Sequence, residues 1–148
     1  MLSGIAAGRL GLLQGRPPTD LGVRDGRLKP PSTTPNSVSS QAALYPDHPR
    51  RTEAQIAPLA FRGDPHAAMA RLEALVAATP GAQIVERRDG YLYATYTTPL
   101  MRYVDDVEFW LDPASGVIQL RSASRIGRGD RGLNRARIEA LRLRFEAS

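Results

Sequence analysis

From residue 55 onward the apolar positions repeat in two rhythms, one with a period of two and one near four, and the changes between them delimit the elements. Residues 55–61 form a short apolar run interrupted by Pro58, which has no N–H for a ladder, so a strand here belongs at a sheet edge. Asp64-Pro65 supplies an N-cap acceptor and a first-turn proline. Met69, Leu72, Leu75 and Val76 follow at helical spacing until Thr79-Pro80-Gly81 stops the helix. Residues 82–88 and 91–98 are β-rich and flank Asp89-Gly90, the pair that favours a two-residue type I′ hairpin turn. Residues 104–111 alternate, with Val107, Phe109 and Leu111 on one side and Asp106, Glu108 and Trp110 on the other. After a turn at 112–116, the run 117–125 sets Ile118 and Leu120 opposite Gln119 and Arg121.

Joining the apolar sides of these last two strands fixes a register. Leu111 then faces Ile118, Phe109 faces Leu120, and Glu108 faces Arg121 as a structural ion pair. The closing helix carries Ile138, Leu141 and Phe145 as its buried stripe, and Leu133 and Ile138 bracket Asn134 as a hydrophobic staple brackets an N-cap. The order strand, helix, four strands, helix predicts an α+β domain: an antiparallel sheet of about five strands with two helices packed on one face.

Residues 1–53 have neither rhythm. Pro17-Pro18, Pro30-Pro31, Pro35, Pro46 and Pro49 break any regular element, so an irregular Pro/Gly/Ser-rich arm (1–53) precedes a single domain (54–148). The arm is either a linker or an extended segment packed across the domain, with Leu21, Val23, Leu28, Val38, Leu44 and Tyr45 as anchors. No run reaches the ~20 apolar residues that cross a bilayer. Residues 1–13 are mildly apolar but broken by Arg9, with no positive stretch ahead of them and no small-residue cleavage site. No export signal is visible, which makes the cytoplasm the default compartment. The spacing of Gly4, Gly8, Gly11 and Gly15 allows close helix approach in lipid, so membrane contact is expected only through this segment.

Composition narrows the chemistry. Without cysteine the chain has no disulfide, thiolate metal site or thiol nucleophile, and His48 and His66 alone are thin material for a metal cluster or a catalytic dyad. No metal and no cofactor is expected. The formal charge of +5 is modest, and with one lysine, Lys29, among many arginines it reads first as a solvated surface and only second as a nucleic-acid footprint.

Five stretches resemble, in this order, an uncharacterised family, domain of unknown function 1499. They are Leu21-Gly-Val-Arg-Asp-Gly-Arg-Leu28, Pro35-Asn-Ser-Val-Ser-Ser40, Tyr103-Val-Asp-Asp-Val-Glu-Phe109, Arg121-Ser-Ala-Ser-Arg125 and Asn134-Arg135. The resemblance implies no activity or ligand. It implies an N-terminus that in members is often exported or membrane-associated, and arm cysteines where Pro31 and Ser37 stand here.

Each remaining motif has a plain alternative. Gly127-Arg-Gly-Asp-Arg-Gly132 matches a dinucleotide fingerprint as a string, but 16 residues remain after it, too few for the second strand and its acidic residue. A loop leading into a helix explains the glycines. The start of that helix, with Arg131 and Arg135, is a candidate anion site. Asp105 and Asp106 point to opposite faces of a strand, so no carboxylate dyad forms. Asp105, Ser122, Ser124, Arg125 and Asn134 converge at one sheet end as the candidate ligand pocket, with mutual hydrogen bonding as the alternative. Tyr91, Tyr93, Thr95 and Trp110 would make a partner-binding patch unless the arm covers them.

The preferred reading is a non-catalytic binding or scaffold protein acting through a protein partner. A small-molecule binder or enzyme using the sheet-end pocket comes second, and nucleic-acid binding through the Arg-rich last quarter third.

Overall fold

The structure, a computed structural model, describes residues 14–148. Five strands make one open antiparallel sheet: β1 (Ser37–Ser39), β2 (Ala82–Arg88), β3 (Tyr91–Thr97), β4 (Val104–Asp112) and β5 (Val117–Ser124), in the spatial order β1-β5-β4-β3-β2. Two full helices, α1 (Pro65–Ala77) and α2 (Leu133–Glu146), pack on one face, giving the α+β architecture that the alternation implied.

The β4–β5 register follows from burial of one face: Leu111 faces Ile118, Phe109 faces Leu120 and Glu108 faces Arg121. Leu92, Ala94 and Tyr96 of β3 extend that apolar surface. Against it α1 sets Ala68, Leu72 and Val76, four residues apart, and α2 sets Ile138, Leu141 and Phe145. The α1 start is secured by the Asp64 carboxylate, which accepts the Ala67 amide at 2.8 Å.

Several local expectations change. Residues 55–61 are not a strand: they run along the sheet edge, bridging β1 at Ser39–Gln55 and β5 at Leu59–Ile118, on either side of Pro58. The fifth strand is β1, whose three residues Ser-Val-Ser are too few for any periodicity to show. In the β2–β3 turn only Gly90 has positive φ (72°), so the turn is not type I′, and farther along the hairpin the register shifts between Ile84 and Glu86. At the start of α2, Asn134 is a fully buried residue of the first turn and Gly132 occupies the cap position, while Leu133 is exposed and staples nothing.

The other sheet face is also covered. From Gln14 the arm crosses it, and Leu28, with Leu21 and Val23, packs on Tyr91, Tyr93 and Trp110 in a second small core. Leu28 is 0% exposed and is held by its own amide donating to Gln41 Oε1 at 2.8 Å, whereas Leu44 is 47% exposed and anchors nothing.

Because Leu28 is buried as completely as a core leucine, Leu28→Ala should cost about 2–5 kcal/mol in urea unfolding. Leu44→Ala should stay within about 0.5 kcal/mol. Equal, negligible losses at the two positions would show that the arm contributes nothing to the folded unit.

Candidate functional site

Strand parity sends Asp105 to the same face as Val107, opposite Ser124, at the end of the sheet where α2 begins. Asp105 is 1% exposed. Arg137 of α2 reaches it with Nη2 2.6 Å from Oδ2, and the same guanidinium lies over the Tyr96 ring at 4.8 Å. The ion pair thus holds Oδ2, while Oδ1 is buried without a hydrogen-bond partner.

Beside this pair, the Asn134 side-chain amide joins five residues, from β5, α2, the loop before it and the arm. Its Oδ1 accepts from Ser122 Oγ (2.6 Å) and Arg137 Nη1 (3.1 Å). Its Nδ2 shares two hydrogens among Asp130 Oδ2 (2.8 Å), Ser124 Oγ (3.0 Å) and the Asn36 carbonyl (3.1 Å). Such saturation is what a buried amide needs, and it fixes where the 126–133 loop sits.

The Asp130 carboxylate closes α2, accepting the Gly132 amide at 2.8 Å and the Asn134 amide at 3.0 Å. Burial acts to raise its pKa, but the Asn134 and Gly132 hydrogen bonds overcome that and hold it below the usual value. The expected anion site at Arg131 and Arg135 is therefore not formed, because the chain's own carboxylate takes the helix-end amides. Arg135 is turned away as well, donating to the Glu53 and Gln55 carbonyls at 2.8 and 3.0 Å.

A cavity of about 500 Å³ opens against this cluster, walled by Met101, Tyr103, Ile126 and Leu133 and floored by Asp105 and Ser124. Asp130 and Arg131 lie at its side. Of the residues expected to form a pocket, Asp105 and Ser124 line it, while Ser122 and Asn134 stand behind the lining. Arg125 does not belong to it. One position beyond Ser124, it points to the opposite face and clamps Asp106 with Nε–Oδ2 and Nη2–Oδ1 contacts of 2.9 Å each. The walls escaped the sequence reading because Met101, Tyr103 and Ile126 lie outside the alternating runs, and their only signal was apolar character in loops. A larger hollow of about 790 Å³ is lined by Phe61, Arg62, Arg71, Phe145, Glu146 and Ser148, none of them a residue expected to form a site.

On the arm face, Glu108 and Arg121 are register neighbours but form no ion-pair contact. Glu108 Oε2 accepts the Gly22 amide and the Tyr91 hydroxyl, both at 2.7 Å, while Arg121 Nε donates to the Pro30 carbonyl at 3.0 Å. Arm atoms have displaced the direct pair. Tyr91 and Tyr93 are buried there, so with Trp110 they form no open aromatic patch. Burial and the hydrogen bond to Asp106 push the Tyr93 phenol up to about 12. Much of the basic last quarter is likewise engaged within the molecule: Arg125 with Asp106, Arg137 with Asp105, and Arg142 with Glu139 and the Ala57 and Pro58 carbonyls.

Among the described residues no group of three or more His, Asp or Glu side chains is placed to hold a metal ion. No helix among them is long and apolar enough to cross a membrane. The expectations about residues 1–13 lie outside the described residues. In the arm, Pro31 offers its carbonyl to His48 Nε2 at 2.9 Å, and Ser37 Oγ accepts the Ser32 amide at 2.9 Å.

Burial raises the Glu108 pKa above its ordinary 4.5, only partly offset by the hydrogen bonds from Tyr91 and Gly22 and by the Arg121 charge. The folded state thus holds this proton to higher pH than the unfolded chain. The stability this brings is complete below the ordinary value and disappears as pH rises through the elevated one. Measured by urea unfolding across pH, Glu108→Gln should gain on the native protein as pH climbs above 4.5. A difference that does not vary with pH would show an ordinary, solvated carboxylate.

No curated protein and no solved structure matches the chain. The family described as "Protein of unknown function (DUF1499)" matches residues 27–145, which takes in β1, both covered sheet faces and the cavity, and the chain belongs to that family.

Proposed function

We propose that the protein binds a small organic ligand in the cavity at the end of the sheet. The observation that carries this reading is the meeting of apolar walls with the buried carboxylate of Asp105, ion-paired through Oδ2 but with no partner at Oδ1, in a space of about 500 Å³. That volume lies within the range of small-molecule sites, and such sites pair mostly apolar walls with a few fixed polar groups. Asp105 and Ser124 sit on strands and are braced by Arg137 and Asn134, so the floor is rigid, whereas the walls come from two loops. A nucleophile beside a base is not part of this constellation, which favours binding over chemistry.

A protein partner is the second reading. It is favoured by the groove where Leu44, 47% exposed, lies with Trp110, Ala43 and Pro113.

In a fragment screen followed by NMR, the Met101 methyl and the Tyr103 and Ile126 signals should shift together. Met101→Trp, which fills the space, should abolish those shifts while leaving the melting temperature within a few degrees, about the effect of 1 kcal/mol. Shifts that gather at Leu44 and Trp110 instead would transfer the proposal to the second reading, and none at either place would end both.

A further inference from the structure

Around the mouth of the cavity, large apolar side chains and uncompensated arginines occur together. The β3–β4 loop is closed by Thr98 N donating to the Tyr103 carbonyl (2.9 Å) and Arg102 N to the Thr98 carbonyl (3.2 Å). This closure puts Leu100 at the tip, 61% exposed, next to Met101 in the cavity wall. Across the mouth Leu133 is 41% exposed. Arg102, Arg128 and Arg131 are exposed on the same two loops, and among the described residues no carboxylate pairs with them. The acidic groups of this pole are already committed, Asp105 to Arg137 and Asp130 to the amides that begin α2. The pole is therefore greasy at its centre and positive at its edge.

The chain also enters here. A Cβ built on Gly15 would lie 2.9 Å from Ile126 Cγ2, and Ile126 lines the cavity, so the segment preceding Gln14 joins the domain beside this rim. That segment contains Leu2, Ile5, Leu10, Leu12 and Leu13 with Arg9 as its one charged side chain.

We propose that this pole docks on an anionic lipid bilayer, with Leu100, Met101 and Leu133 entering the headgroup region and Arg102, Arg128 and Arg131 facing lipid phosphates. Guanidinium groups pair with phosphate through two parallel hydrogen bonds, and apolar side chains gain from leaving water at the headgroup boundary. A nucleic acid fits less well, since its phosphate backbone offers nothing to the leucines at the centre of the surface. The inference stands whether or not the cavity holds a ligand, because it rests on the rim.

The test is co-sedimentation of the full chain with phosphatidylcholine vesicles, with and without phosphatidylglycerol. Binding should require the anionic lipid and weaken as salt is added. Asparagine tolerates the left-handed backbone held by Arg102 (φ 59°) and Arg131 (φ 53°), so Arg102→Asn, Arg128→Asn and Arg131→Asn together remove charge without disturbing the loops. Partitioning should fall roughly fivefold for each arginine removed. Leu100→Ser with Leu133→Ser should weaken it independently. A charge-matched triple change to Asn at Arg24, Arg62 and Arg87, which lie away from the cavity, should leave it near the native level. Equal loss in that control, loss confined to a Leu10→Ser, Leu12→Ser, Leu13→Ser variant, or capture of an oligonucleotide with no vesicle binding would each overturn the proposal.

Discussion

Besides Asp112 at its turn end, strand β4 carries three carboxylates, Asp105, Asp106 and Glu108, into the interior of a domain that has a single sheet, and each has to be met there. A buried charge left alone costs several kcal/mol or more, so the elements around β4 are arranged as its counterparts. Helix α2 answers Asp105 with Arg137, β5 and β3 answer Asp106 with Arg125 and Tyr93, and the arm answers Glu108 with the Gly22 amide beside Tyr91. The match is incomplete at Glu108 Oε1 and at Asp105 Oδ1, which have no partner. Placement of the arm and of α2 is thus as much an electrostatic matter as a hydrophobic one.

Periodicity makes the central part of the fold legible in the residues themselves. Val107, Phe109 and Leu111 against Ile118 and Leu120 fix the register of the central pair because a slip of one residue would expose the whole set. Register locates Cα neighbours, however, and not the ends of long side chains. Glu108 and Arg121 face each other as the alternation requires, yet each finds a nearer partner in a segment with no periodicity, at Gly22 and Pro30. Arg125 directly follows Ser124, the register neighbour of Asp105, and strand parity sends it to the other face and to Asp106. Asn134 and Asp130 both suit a helix start, and the choice between them turns on which one β5 and the arm can bury. The cavity walls come from loops, whose positions depend on the packed elements beneath them.

The arm changes the functional picture more than any side chain does. By covering Tyr91 and Tyr93 it turns a surface fit for recognition into an interior, and the family match, which begins at residue 27, includes Leu28 of that cover. Most of the last quarter's basic residues are absorbed in a similar way, by carbonyls and carboxylates of the same molecule. What remains open to solvent and chemically distinctive is the pole where the β3–β4 loop, the loop before α2 and the entry of the arm come together.

The pairing of β1 with β5 bears on how the chain reaches this state. Ser37 meets Ala123 and Ser39 meets Arg121, so one edge of the sheet joins residues more than half the chain apart. On the ribosome β1 has no strand to pair with until β5 has emerged. Contacts of such long range slow folding, because chain entropy is lost before they form. The hairpins β2–β3 and β4–β5 are local and able to assemble early, with the arm closing over them last, which makes its departure the first step expected when the protein opens.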